Sequence, residues 1–517
     1  MVTFGILFFD VISLMIRLTL STTTSCEIRN CTTIYNKNLR NLTRDEFKHT
    51  SKWSKIECMS FQDDVFHSIE TALFSNFRSL RILHMKNIPM LGKGIISGFE
   101  DINKTKLTQL CLENVNLTTA VVVPLFTKLN KRLKVLSLKN NHIESFSFEN
   151  IDNLFKIKSL ILSGNKQLVF SPQASKPFTY LKTLDLSDTR SLNSTFCPNK
   201  IKHLPNLRAL CLDGIRFRLA DIDIKNCFNN LKKLVLSKSH IQDSIHKDSF
   251  SNFPKLEYLQ LSGLEYTKQF KMPTFKRNKN LATLELNCIA FLFPPTETNT
   301  KAFKYLIKLN KLELSHWNLS QWSSLNLSTL FAPFKESIIT LKLSKVGFET
   351  IPNIIWEMPN LKTVILSNNG ISSLDPQRNS TIVNIKNLHL QWNRIETLDP
   401  GSIPKSVSDL NLSGNPFSCK CPLMQYVLWE REKKDVKIMT DWYYRYHCAN
   451  PREWKGRNML EFVRKIKPTD CRAFNISVIV ATVLCFIMIA VVVVSNIIVW
   501  RKQKLQNCEN RPLLPKA

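Results

Sequence analysis

What the 517-residue chain lacks narrows its function first. It has no Walker loop to cradle phosphates, no H-E-x-x-H helix to hold zinc and no nucleophile elbow. Its L-S-G-N serines belong to a repeat, so neither an enzyme nor a bound metal or cofactor is expected. Acidic residues are scarce as well: 41 Asp and Glu stand against 71 Lys and Arg, a formal net charge of +30. Such an excess favours polyanions through counterion release. Long apolar runs occur only near the two ends.

What fills the chain between those ends is L-x-x-L-x-L-x-x-N, clearest at Leu133, Leu136, Leu138 and Asn141. The frame recurs about fourteen times, every 22 to 29 residues or so, which is the leucine-rich-repeat window. Leu136 and Leu138 alternate onto one face of a short strand, leaving Ser137 and Lys139 on the other. One unit cannot bury its apolar face, so units must stack. The expected fold is therefore an α/β leucine-rich-repeat solenoid, a horseshoe with a parallel concave sheet, disulfide-capped ends and one transmembrane helix. Asn at the ninth position is expected to bond the turn leaving the strand, although Val115, Thr189, Ile215 and Leu264 replace it in several repeats. Phe77, Phe178, Phe228 and Phe253, each three residues before a first leucine, should pack along the back.

Residues 1–25 read as a secretory signal: an apolar stretch, interrupted by Asp10 and Arg17, that turns small and polar before Cys26. Residues 26–60 are expected to hold an N-terminal cap, closed by Cys26 and Cys31, and a degenerate repeat in which Cys58 is a buried thiol. Repeats occupy 61–415. Cys197 and Cys227 are either bridged or free, and the pairing of Cys58, Cys111, Cys211 and Cys288 is open. Sequons at Asn30, Asn41, Asn103, Asn116, Asn193, Asn318, Asn326 and Asn379 are expected to carry glycans. Asn411 lies within a strand and Asn475 at the bilayer, where glycans do not fit.

From 416 to 472 the repeat gives way to NPFSCKC, a tryptophan-containing stretch and YHCANPREWKGRNMLEF. A zinc site would need its distant cysteines paired in C-x2-C fashion, and they are not. This segment resembles the C-terminal cap of Toll-like receptors, as do the irregular repeats and the phenylalanine spine. The resemblance, which extends over nearly all of 26–500, implies pairing Cys419 with Cys448 and Cys421 with Cys471. It also implies a receptor of innate immunity.

The stretch 473–500 has the length and composition of a transmembrane helix, with Arg501, Lys502 and Lys504 behind it as a cytoplasmic stop. The tail, 501–517, is too short to fold the TIR domain through which that family signals. A co-receptor, decoy or trafficking subunit is expected instead, at the cell membrane or in endosomes. Glu509, Leu513 and Leu514 match an acidic dileucine sorting signal. Expected partners are a protein or microbial ligand on the solenoid, a Toll-like receptor or small secreted co-receptor, and a homo- or heterodimeric mate. A cell-adhesion protein is the alternative from another class.

Nucleic acid is a further alternative, and the outward strand positions bear on it. Lys86, Lys139, Lys233, Lys238, Lys311, Lys342 and Lys345 are offset there by Glu113, Asp185, Asp188, Asp213, Glu285, Glu313 and Asp409. The excess positive charge should therefore lie elsewhere, on lateral or convex surfaces and the C-terminal cap. His84, His316 and His389 are expected to face outward, solvated or as pH-dependent contacts.

Overall fold

A computed structural model describes residues 32–33, 40–47 and 53–509, apart from 175, 198–203, 265–270, 274, 290–292, 375–383, 422, 424–436, 439–444 and 467. Two compact units make up the chain: 1–369 with 376–388, and 370–375 with 389–517.

In the first unit, each repeat contributes a short strand to one parallel sheet, and the strands follow chain order. Leu83 pairs with Leu110, Leu110 with Leu136 and Leu136 with Leu160, and the leucine register then continues through Leu184, Leu210 and Leu234 to Leu341. Both leucines of each strand are buried, as Leu136 and Leu138 show at 0% exposure. The fold is a leucine-rich-repeat solenoid. The strand Cys58–Gln62 crosses the 60/61 boundary of the expected cap and pairs residue for residue with Ile82–Lys86, so it is a regular member of the sheet.

Asparagine at the ninth position bonds the turn as expected. Asn141 Oδ1 accepts from the amides of Val115 and Leu117, while Nδ2 donates to the carbonyls of Leu112 and Leu138. Other side chains substitute in part: Thr189 Oγ1 donates to Leu186 O, Ser239 Oγ to Leu212 O, and Trp317 Nε1 to Leu286 O. Just before that position, each turn places one residue at positive φ. Asn140, Gly164, Asp188, Gly214, Lys238 and Gly263 occupy it in successive repeats. At Gly164 a Cβ would lie 1.9 Å from Asn140 Oδ1, so a side chain there would have to displace Asn140 as well as hold the left-handed turn.

Behind the sheet the phenylalanines form the expected spine. Phe77, Phe178, Phe228 and Phe253 are buried, with ring centroids 4.8 Å apart for Phe148–Phe178 and 6.3 Å for Phe228–Phe253. A second parallel sheet lies on the return path, formed by Ser145–Ser147, Val169–Ser171, Ser191–Leu192, Arg216–Phe217 and His240–Ile241.

In the second unit, Asp409–Asn411 pairs with Lys437–Ile438, and Phe417–Ser418 with Cys448–Asn450. Cys419 is bonded to Cys448, with Cα atoms 5.5 Å apart. Tyr446 is fully buried and accepts from Leu412 N at 2.9 Å. The helix Pro468–Glu509 ends the described chain. Its segment Val480–Gln503 is 24 residues of apolar character, about 36 Å long, against a hydrocarbon core of about 30 Å.

Candidate recognition surface

The sheet's outward face in the first unit is the surface the repeats build most regularly, because alternation sends every second strand residue there. It is less open than the sequence suggests. Ser60, His84, Cys111, Ser137, Asp185 and Cys211, all between two core positions, are buried, because neighbouring strands crowd them from both sides.

This crowding corrects the reading of His84. It is 3% exposed, lies 3.3 Å from Ser60 Oγ through Nδ1, and burial pulls its pKa below the ordinary histidine value despite Glu113 nearby. It is not a solvated contact that charges readily below pH 6.5. His316 is exposed, on a turn, and His389 is half-buried in the second unit, 3.8 Å from Asp409.

Towards its later strands the face carries an interlocked charge network. Lys311 Nζ contacts Glu285 Oε1 at 2.7 Å and Glu313 Oε1 at 2.8 Å. Glu313 Oε2 meets Lys342 Nζ at 3.3 Å and accepts from Asn287 Nδ2 at 2.7 Å. Burial works to lower the Lys311 pKa, but hydrogen bonds to both carboxylates outweigh it and the net direction is up. Glu313 shows the mirror case: burial raises it, and Lys311 and Asn287 bring it below the usual carboxylate value. Tyr258 stands beside them, donating to Gln260 at 3.0 Å with Lys233 Nζ 5.1 Å from its ring centroid; burial and Glu285 push its hydroxyl up. These side chains are held in place before any ligand arrives.

Earlier on the same face lies an acidic zone. Asp213 accepts from Ser237 N at 2.7 Å, yet burial, with Asp185 and Asp188 adding to it, raises its pKa to about 6. Cys211 beside it is a free thiol pushed up to about 12 by burial first and Asp185 second. The offset between lysines and acids is thus direct pairing in the later repeats and an acid excess here. Among the described residues no cluster has the makings of a metal site.

The remaining sequence-designated residues are the cysteines, the sequons and the tail motif. Cys197 and Cys227 are bridged, Cα atoms 6.0 Å apart, which resolves the open alternative. Cys58 is disulfide-bonded, contrary to the buried thiol expected, and so is Cys111. Cys421 is also disulfide-bonded; Cys26 and Cys31 lie outside the described residues, as does the side chain of Cys471. Asn41, Asn103, Asn116, Asn193 and Asn318 are exposed, whereas Asn326 is half-buried in the helix Ser324–Phe331. Asn193 opens onto a cavity of about 330 Å³ that Arg216, Arg218 and Gln242 also line. Asn411 is buried and bonded to Ser413. Asn30, Asn379, Leu513 and Leu514 lie outside the described residues, and Glu509 ends the last helix.

No protein-family model matches the chain. Toll-like receptor 4 of Bos taurus is 23% identical over 417 residues, covering 69% of this chain and 48% of that receptor. CD180 antigen of Mus musculus is 22% identical over 479 residues, covering 87% of this chain and 58% of that protein. The chain is a leucine-rich-repeat protein distantly related to Toll-like receptors and CD180. It spans about half the length of the curated relatives it matches. The crystal structure of the TLR13–ssRNA13 complex aligns at a TM-score of 0.51 and 18% identity, over 81% of this chain and 72% of that one, a likeness of fold alone.

Proposed function

We propose that the chain is a single-pass type I recognition subunit of innate immunity, which binds a ligand or a partner receptor through its repeats and acts as co-receptor, decoy or trafficking subunit. The observation that carries this reading is one chain joining a repeat array with a preorganised polar face to a membrane-length helix, Val480–Gln503. Kinship with Toll-like receptors and CD180 supports it. Arg501, Lys502 and Lys504 follow the span while Lys465, Lys467 and Arg472 precede it, so the inside tail rests on the signal-like N-terminus, the sequons and the cap. Glycans at Asn41, Asn103, Asn116, Asn193 and Asn318 would then face outside, and Glu509, Leu513 and Leu514 would direct endosomal sorting.

Proximity labelling from a tag at the C-terminus tests this reading in cells that express Toll-like receptors. Enrichment of a TIR-bearing receptor or of clathrin adaptors is expected. Generic plasma-membrane neighbours alone would reject the co-receptor and trafficking roles.

A further inference from the structure

The residue after the first leucine of each repeat forms its own column at the strand entrance, outside the recognition face described above. Backbone hydrogen bonds of 2.7 to 2.8 Å join Lys134 to Lys158, Lys158 to Lys182, Lys182 to Arg208, and Arg208 to Lys232. Adjacent strands lie about 4.8 Å apart, so the first four bases form a row about 14 Å long.

The column's acids stand beyond the row and are already occupied. Glu57 pairs with Arg81 at 3.6 Å, and Glu257 with Lys232 at 2.6 Å. Between those pairs, Lys134, Lys158, Lys182 and Arg208 are exposed and make no ion pair among the described residues. The next strand position contributes Val135, Ser159, Thr183 and Ala209, none charged. On the other side, before the core leucines, Arg132 and Lys156 add exposed positive charge beside Tyr180.

We propose that this row binds a linear sulfated glycosaminoglycan. A line of like charges held at strand spacing suits a linear polyanion better than a compact anion. Three of the four are lysines, point charges without the planar fork that suits arginine to nucleic-acid recognition. Among the described residues, exposed aromatics accompany the row in only two of its repeats, too few to stack successive bases along it. Phe155 and Tyr180 are exposed, and Lys156 Nζ already stands 5.9 Å from the Phe155 centroid. The proposal rests on the outward orientation of the repeats for its biology, but not for its chemistry.

Binding of a heparan sulfate oligosaccharide to the purified full chain in detergent tests the row whatever the orientation in cells. Replacing Lys134, Lys158, Lys182 and Arg208 together by Gln should weaken binding on the order of 30-fold and flatten its salt dependence. Lys93→Gln with Lys247→Gln, exposed charges elsewhere, should change it less than about twofold. If the fourfold variant fails to fold, Lys158→Gln with Lys182→Gln should still give about a fivefold loss. Equal losses in row and control variants would overturn the proposal, as would equal binding of desulfated oligosaccharide. Single-stranded RNA binding more tightly and losing affinity through the same four residues would reassign the row to nucleic acid.

Discussion

Cys288 Sγ stands 3.1 Å from Nδ1 of His316, its counterpart one repeat later. Both hold the left-handed turn, at φ 54° and 70°, so stacking of the turn column is what brings them together. Cys288 is exposed and free, whereas Cys211 is buried with its thiol pushed up to about 12. A maleimide followed by mass spectrometry should therefore label Cys288 of the native chain at least about 100-fold faster than Cys211. Comparable rates would mean that the sheet opens at Cys211.

Asp213 makes stability depend on pH. Its carboxyl holds its proton up to about 6 in the folded chain against 3.8 normally, so its contribution is complete below 3.8 and is lost as pH rises through 6. Asp213→Asn, which keeps an acceptor for Ser237 N, should stabilise the protein by up to about 3 kcal/mol at pH 7.5. The gain should shrink through pH 5 and vanish near pH 4. Melting curves across that range check it, and a gain independent of pH would rule out the charge as its cause.

Removing the centre of the charge network should be costlier than removing all of it. Lys311→Met leaves Glu285 and Glu313, each 8% exposed, without their shared cation, at a cost of about 2 to 4 kcal/mol. Adding Glu285→Gln and Glu313→Gln should recover most of that loss. Denaturant titration of the single and triple variants decides, and equal losses would argue against an uncompensated-charge penalty.

The asparagine column should weigh more than its substitutes. Asn141→Ala strands two amides and the Leu112 carbonyl, about 3 kcal/mol, while Ser239→Ala strands one carbonyl, about 1 kcal/mol. Calorimetry of the two variants gives the ratio, and equal losses would count against the asparagine as the stronger tie.

Much of the fold was legible because its grammar is local. Leucine spacing says which side chains face the core, as Leu136 and Leu138 do, and asparagine at the ninth position says where the turn is tied. Less of the candidate site was legible. Ser239 and Trp317 also stand at the ninth position, a signal available in the sequence, but only the fold shows what their polar atoms reach. His84 looked exposed by alternation, and its burial depends on strands contributed by other repeats.

The sequence by itself determined the repeat, the phenylalanine spine and the apolar C-terminal span, since each rests on composition and spacing within a few tens of residues. Tertiary structure alone decided that Cys197 meets Cys227, that Lys311 bridges two glutamates, and that Lys134, Lys158, Lys182 and Arg208 form one row. The physical reason is register. Repeats differ in length, and only hydrogen-bonded strands bring residues one repeat apart to within about 5 Å of each other.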